Sequence, residues 1–173
     1  MRTDRDDARD QAHWDAVDEA AELLQELHYV EALLALRDVI KADPMNPYAY
    51  NHLGTALFET EKLEPARDAY RAALRVSPNF LGARVALSNT LRMLGDAKGA
   101  LAEAKEALRR FPKDADAMHA AGLAHAALGQ RQEATRELEG FLDAAPEAEV
   151  AIEVRQILEM IGLAGDGEPV EFE

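Results

Sequence analysis

The chain has 173 residues, a formal net charge of −14 and no cysteine, so one continuous core is expected with neither a disulfide frame nor a thiolate metal site. Aromatic residues make up only 6% of a sequence rich in alanine and leucine, a balance that favours helix over sheet. The charge runs from −6 in residues 13–46 to +3 in 81–114 and back to −6 in 149–173, and such acidic flanks argue against nucleic acid and anionic membrane as main ligands.

In chain order, residues 1–12 are polar and charged, lack the apolar stretch of a secretory signal, and are expected to form a flexible N-terminal segment. No apolar run approaches a membrane span, so no membrane insertion and a cytoplasmic location are expected. From residue 13 onward Pro44, Pro78, Pro112 and Pro146 recur every 34 residues and divide the chain into units 13–46, 47–80, 81–114 and 115–148. Twelve residues before each proline stands an alanine: Ala32, Ala66, Ala100 and Ala134. Twenty-four before stands a small residue: Ala20, Gly54, Ser88 and Gly122. Small side chains at fixed spacing mark places where two helices approach closely. In 47–78, Tyr50, Leu53, Leu57 and Thr60 keep helical spacing, and so do Ala66, Ala69, Tyr70, Ala73 and Leu74 after a polar break at Glu61–Lys62. Each unit therefore reads as a helix–turn–helix hairpin closed by its proline. Beyond Pro146, Val150, Val154, Ile157, Leu158 and Ile161 share one face, predicting a capping helix over 149–162. Residues 163–173, acidic and glycine-bearing, are expected to be disordered.

This period and these columns resemble the tetratricopeptide repeat (TPR) family. The second unit carries the family pattern most fully, with Tyr50, Leu53, Gly54, Leu57, Ala66, Tyr70, Ala73 and Pro78. Glu19, Arg84 and His125 depart from it where large apolar or aromatic side chains are usual. The resemblance implies an all-α fold: a right-handed solenoid of four hairpins with a C-terminal capping helix. It also implies that the first helix of each hairpin lines a concave groove that binds a protein or peptide segment.

On that assignment the groove is lined by Tyr48, Asn51, His52, Thr55 and Phe58, by Val85, Asn89, Arg92 and Met93, and by His119 and Leu123. Asn51 and Asn89 carry amides that can pair with an extended backbone, or are simply polar residues facing solvent. Tyr48, Phe58, Val85 and Met93 offer apolar contact or pack between helices. Trp14 either joins the groove or seals the N-terminal edge. Arg92 either meets a ligand carboxylate or pairs with Asp96 at i+4. The clamp of the co-chaperones that grip the acidic C-terminus of heat-shock chaperones is absent: its lysine and asparagine positions hold Val17 and Ala21, or Asn51 and Thr55, and Ala86 stands where a further asparagine belongs.

The chain offers no glycine-rich phosphate loop, nucleophile elbow or HExxH. Asp116 and His119 share a helix face, yet nothing supplies a nucleophile beside them. No catalysis, cofactor or metal is expected. The sequence predicts a protein-binding adaptor. The alternatives are a secretion-type chaperone resembling class II translocator chaperones and a scaffold that self-associates through its solenoid ends.

Overall fold

The computed structural model describes the backbone of residues 4–144, 146–164 and 167–170, with side chains from residue 6 onward. Its elements are all helices: α1 (Asp4–Asp15), α2 (Asp18–Gln25), α3 (Tyr29–Ala42), α4 (Pro47–Glu59), α5 (Leu63–Val76), α6 (Leu81–Met93), α7 (Ala97–Arg110), α8 (Ala115–Ala127), α9 (Arg131–Asp143) and α10 (Ala148–Leu163). They fall into two compact units, residues 1–87 and 88–173.

The same two turns are used again and again. Inside each hairpin, the first helix ends in paired bonds. His28 N donates to Leu23 O and Leu27 N to Leu24 O, and the pattern repeats at Lys62–Leu57, Asp96–Leu91 and Gln130–His125. This arrangement satisfies carbonyls that a helix end leaves orphaned, and it demands a left-handed residue at its corner. That residue is Leu27, Glu61, Gly95 or Gly129, with φ of 62°, 57°, 82° and 69°. Between hairpins, the proline sits second in a four-residue turn. Asn46 N donates to Asp43 O, Phe80 N to Ser77 O, and Asp114 N to Phe111 O. Proline fits there because its fixed φ suits the turn and its missing N–H would end the helix anyway. Asn46 and Asp114 then cap α4 and α8, accepting from Tyr48 N and Ala49 N and from Ala117 N respectively.

In the first unit α2 pairs with α3 and α4 with α5, and α3 packs on α4. Ala20, Ala32, Leu36, Ala49, Ala56, Ala66 and Tyr70 are buried. Gly54 allows the tightest approach: a Cβ there would lie 2.5 Å from the Tyr70 ring. Arg84, in the aromatic column, donates to Pro78 O at 2.9 Å. Of the segment expected to be flexible, residues 1–3 lie outside the described residues and the remainder is helical from Asp4, with α1 packed on α4. Polar bonds rather than an apolar stripe hold it. His13 Nε2 lies 2.8 Å from Asp43 Oδ2, Asn46 Nδ2 donates to His13 O at 2.8 Å, and Tyr48 donates its hydroxyl proton to Asp10 Oδ1 at 2.9 Å.

In the second unit α8 packs between α7 and α9, and α10 packs on α9. Ala100 and Ala134 are fully buried, and Ser88 Oγ donates to Ala100 O at 2.8 Å, joining α6 to α7. Gly122 repeats the role of Gly54, since a Cβ there would meet Leu138 Cγ at 2.6 Å. His125 is buried and its Nδ1 bonds Gln130 Oε1 at 2.5 Å, so an imidazole replaces the usual apolar side chain without an unpaired Nδ1. From α10, Ala151, Val154 and Ile161 are buried, the latter two in one cluster with Leu138 and Phe141.

Of the stretch expected to be disordered, residues 163–164 and 167–170 are described. Residues 165–166 and 171–173 lie outside the described residues, but Val170 is buried in that cluster and its N–H donates to Ala126 O at 3.1 Å. An apolar side chain and a backbone donor, both satisfied, fix this stretch against α8.

Candidate interaction surfaces

In the first unit the residues of interest rise from α4. Tyr48 sits at its N-terminus, edge-on to Trp14 with ring centroids 5.2 Å apart and to Phe80 at 5.3 Å. Such edge-to-face pairs each contribute about 0.5–1.5 kcal/mol beyond burial. Trp14 also meets His52, at 6.3 Å. Trp14 itself is 49% exposed, one part of its indole covered by Tyr48 and His52 and the rest open on α1. Together with Asp7, Asp10, Gln11 and Tyr48 it lines an open recess. His52 is half-buried, and burial holds its pKa below the ordinary value. Its Nε2 is buried without a hydrogen-bond partner among the described residues. Asn51, Phe58 and Val85 are partly exposed. Thr55 turns inward, its hydroxyl donating to Asn51 O at 3.3 Å and accepting from Tyr70 at 3.4 Å. Burial pushes the Tyr70 phenol up to about 12.

In the second unit Asn89 and Arg92 are half-buried near the end of α6, and Met93 is half-exposed. Asn89 Oδ1 is buried and unpaired among the described residues. Burial lowers the Arg92 pKa, although a guanidinium keeps its charge at neutral pH. His119 stacks on Phe141 at 4.8 Å, and burial, reinforced by the Arg92 charge, lowers its pKa. The geometry thus brings Arg92 within electrostatic reach of His119. Leu123 corrects the sequence reading. It is 6% exposed and belongs to the apolar cluster, because α8 is buried around its whole circumference from Ala120 to Ala126. It lines no accessible surface.

The opposite chemistry appears on α7, where Glu106 accepts from Arg109 Nε and Nη2 at 2.7 and 2.8 Å and from Arg110 Nε at 2.7 Å. The two guanidinium groups hold the Glu106 carboxyl at about 2. Among the described residues no group of three histidines or carboxylates could hold a metal, and no helix is long and apolar enough to cross a membrane. Sequence reasoning left Asp10 and Phe80 out of the first surface. Phe80 stands in the column of Asn46 and Asp114, outside that of Tyr48, and the Asp10 contact needs α1.

Two stretches, 17–79 and 85–149, match the tetratricopeptide repeat family model. The chain belongs to the tetratricopeptide repeat family. No curated protein matches it. Among solved structures, the TPR chain is similar to MamA 41-end from Desulfovibrio magneticus RS-1, at 21% identity over 89% of this chain and 84% of that one, with a TM-score of 0.74. It is also similar to TTC0263, a thermophilic TPR protein of Thermus thermophilus, at 24% identity over 87% and 81%, with a TM-score of 0.70. A third similar structure is the first TPR of Spaghetti (RPAP3) bound to the HSP90 peptide SRMEEVD, at 19% identity over 68% and 94%, with a TM-score of 0.64. At these identities the likeness is one of fold, an all-helical TPR solenoid. The TPR family is one of protein–protein interaction modules, and this chain is placed among them.

Proposed function

We propose that this TPR chain is a non-catalytic adaptor that binds an extended or helical segment of a partner protein on its first-helix faces. Tyr48, Asn51, His52 and Phe58 would contact the segment in the first unit, and Asn89, Arg92, Met93 and His119 in the second. One observation carries the reading. His52 Nε2 and Asn89 Oδ1, on the two faces singled out from the sequence, are buried and lack a hydrogen-bond partner among the described residues. A buried polar atom left unpaired costs about 1–3 kcal/mol, a cost removed when its side chain turns outward to meet a bound segment that carries the missing partner. Exposed apolar surface lies near both: the Trp14 indole beside His52, and Met93 four residues after Asn89. The neighbour solved with an HSP90 peptide supports peptide binding as a use of this fold. Without that clamp's residues, the segment bound here is of another kind.

Site-specific photo-crosslinking tests the proposal. A crosslinker at Asn51 and another at Asn89 should capture segments of the same partner from the native extract. One at Arg109, on α7 beside Glu106, should capture none of it. Capture only from Arg109 would place binding on the second-helix face and overturn the reading.

A further inference from the structure

We propose that the segment Glu168–Val170 is a built-in peptide ligand, seated on a docking site of the second unit, and that it excludes partner segments of the same acidic Pro–Val chemistry. The proposal deepens the adaptor reading and rests on it only for the competing partner. The seat of the segment is independent of it.

The contact has the features of a bound peptide. Val170 N donates to Ala126 O at 3.1 Å, and that carbonyl already accepts Gly129 N at 3.0 Å. Ala126 is in the last turn of α8, where carbonyls have no helical partner, so a backbone donor arriving from outside is well matched. The Val170 side chain is only 8% exposed and joins the apolar cluster of α8, α9 and α10. One backbone bond plus one buried side chain is how an extended segment is recognised with little regard to its other residues.

The site is also shaped for a passing backbone. Gly129 is left-handed, and a Cβ there would lie 2.5 Å from Gly167 O, so the corner that the hairpin turn requires also clears the path of the segment. Beside Pro169 and Val170 a recess continues, lined by Arg92, Met93, Ala97 and Ala127. Its Arg92 cation lies beside the Pro169–Val170 stretch, which Glu168 precedes. Arg92 and Met93 also belong to the surface proposed for the partner. Occupancy by the tail therefore competes with part of that surface.

The experiment uses the full chain and a fluorescein-labelled synthetic peptide of residues 164–173. A tethered segment acts at an effective concentration of about millimolar, so the wild-type chain should bind the added peptide weakly. Val170→Asp, which unseats the tethered copy, should bind it at least tenfold more tightly by fluorescence anisotropy. A peptide carrying the same Val170→Asp change should bind neither chain. If Val170→Asp loses helicity by circular dichroism, Val170→Ser replaces it in the same comparison. Equal affinities for wild type and a folded variant, or no binding by that variant, would overturn the inference and leave the tail as a cap only. If that happened while crosslinking at Asn51 and Asn89 still returned a shared partner, the adaptor reading would stand alone. Peptide binding without crosslinking would show the reverse.

Discussion

In the first unit α1 lies on α4 with His13 its buried residue among those described, whereas in the second α10 buries Ala151, Val154 and Ile161. The two helices do a similar job, covering a neighbouring hairpin, with different physics. α10 depends on apolar area, where a fully buried aliphatic side chain contributes about 1.5–3 kcal/mol. α1 depends mainly on directional bonds from Asp10, His13 and Asn46, each contributing about 0.5–1.5 kcal/mol net, with the Trp14–Tyr48 edge contact beside them. Apolar cover is stronger and less sensitive to geometry. Polar cover is weaker, and it leaves Trp14 exposed beside the proposed binding residues.

Substitutions at each end sharpen this contrast. Ile161→Ala should have the largest effect, destabilising the second unit by about 2–5 kcal/mol in urea unfolding, since it leaves a cavity against a packed cluster. Asn46→Ala should cost about 1–2 kcal/mol, because it removes the α4 cap and the bond to His13 O together. Hydrogen exchange should then quicken throughout 4–15 while the second unit is unaffected. Equal losses from the two substitutions would erase the distinction between polar and apolar cover.

The hairpin corners give a smaller test with a defined sign. Leu27 and Glu61 occupy left-handed backbone that Gly95 occupies in the second unit. Leu27→Gly or Glu61→Gly should stabilise the chain by up to about 1 kcal/mol, and Gly95→Ala should destabilise it by a similar amount. Open space around Gly95 means that the cost of the alanine is conformational, not steric. Thermal unfolding of the three variants reads all of them.

The smallest effect is in pH. Burial lowers the pKa of His52, His119 and His125 in the folded chain, so their neutral forms are favoured there. Below an unfolded pKa of about 6.5 the unfolded state binds more protons, and the stability present above that pH is lost as the pH falls toward the folded values. The melting temperature should therefore drop between about pH 7.5 and pH 5.5, and by less in a His125→Gln variant.

Much of this fold could be read from the sequence because repeated geometry forces repeated chemistry. Ala32, Ala66, Ala100 and Ala134 are all fully buried, as close helix contact requires. The prolines fall at the second position of described turns in three of the four units. What escaped reading depends on single contacts. The sequence of α1 has no apolar periodicity, so only the positions of Asp43, Asn46 and Tyr48 explain its docking. The seat of Val170 depends on one carbonyl and one cluster far away in sequence. Leu123 misled because its column is half-buried at Ala21, Thr55 and Asn89, whereas α8 is buried continuously from Ala120 to Ala126. Glu61 and Leu27 carry no glycine to announce their left-handed backbone.

The most direct test of the adaptor account is calorimetry with the partner that crosslinking returns, comparing the parent with Asn51→Ala/Asn89→Ala and with Arg109→Ala. The account predicts that the double variant loses about 1 kcal/mol per removed hydrogen bond with an unchanged melting temperature, while Arg109→Ala binds like the parent. Full affinity in the double variant, together with lost affinity in Arg109→Ala, would contradict it.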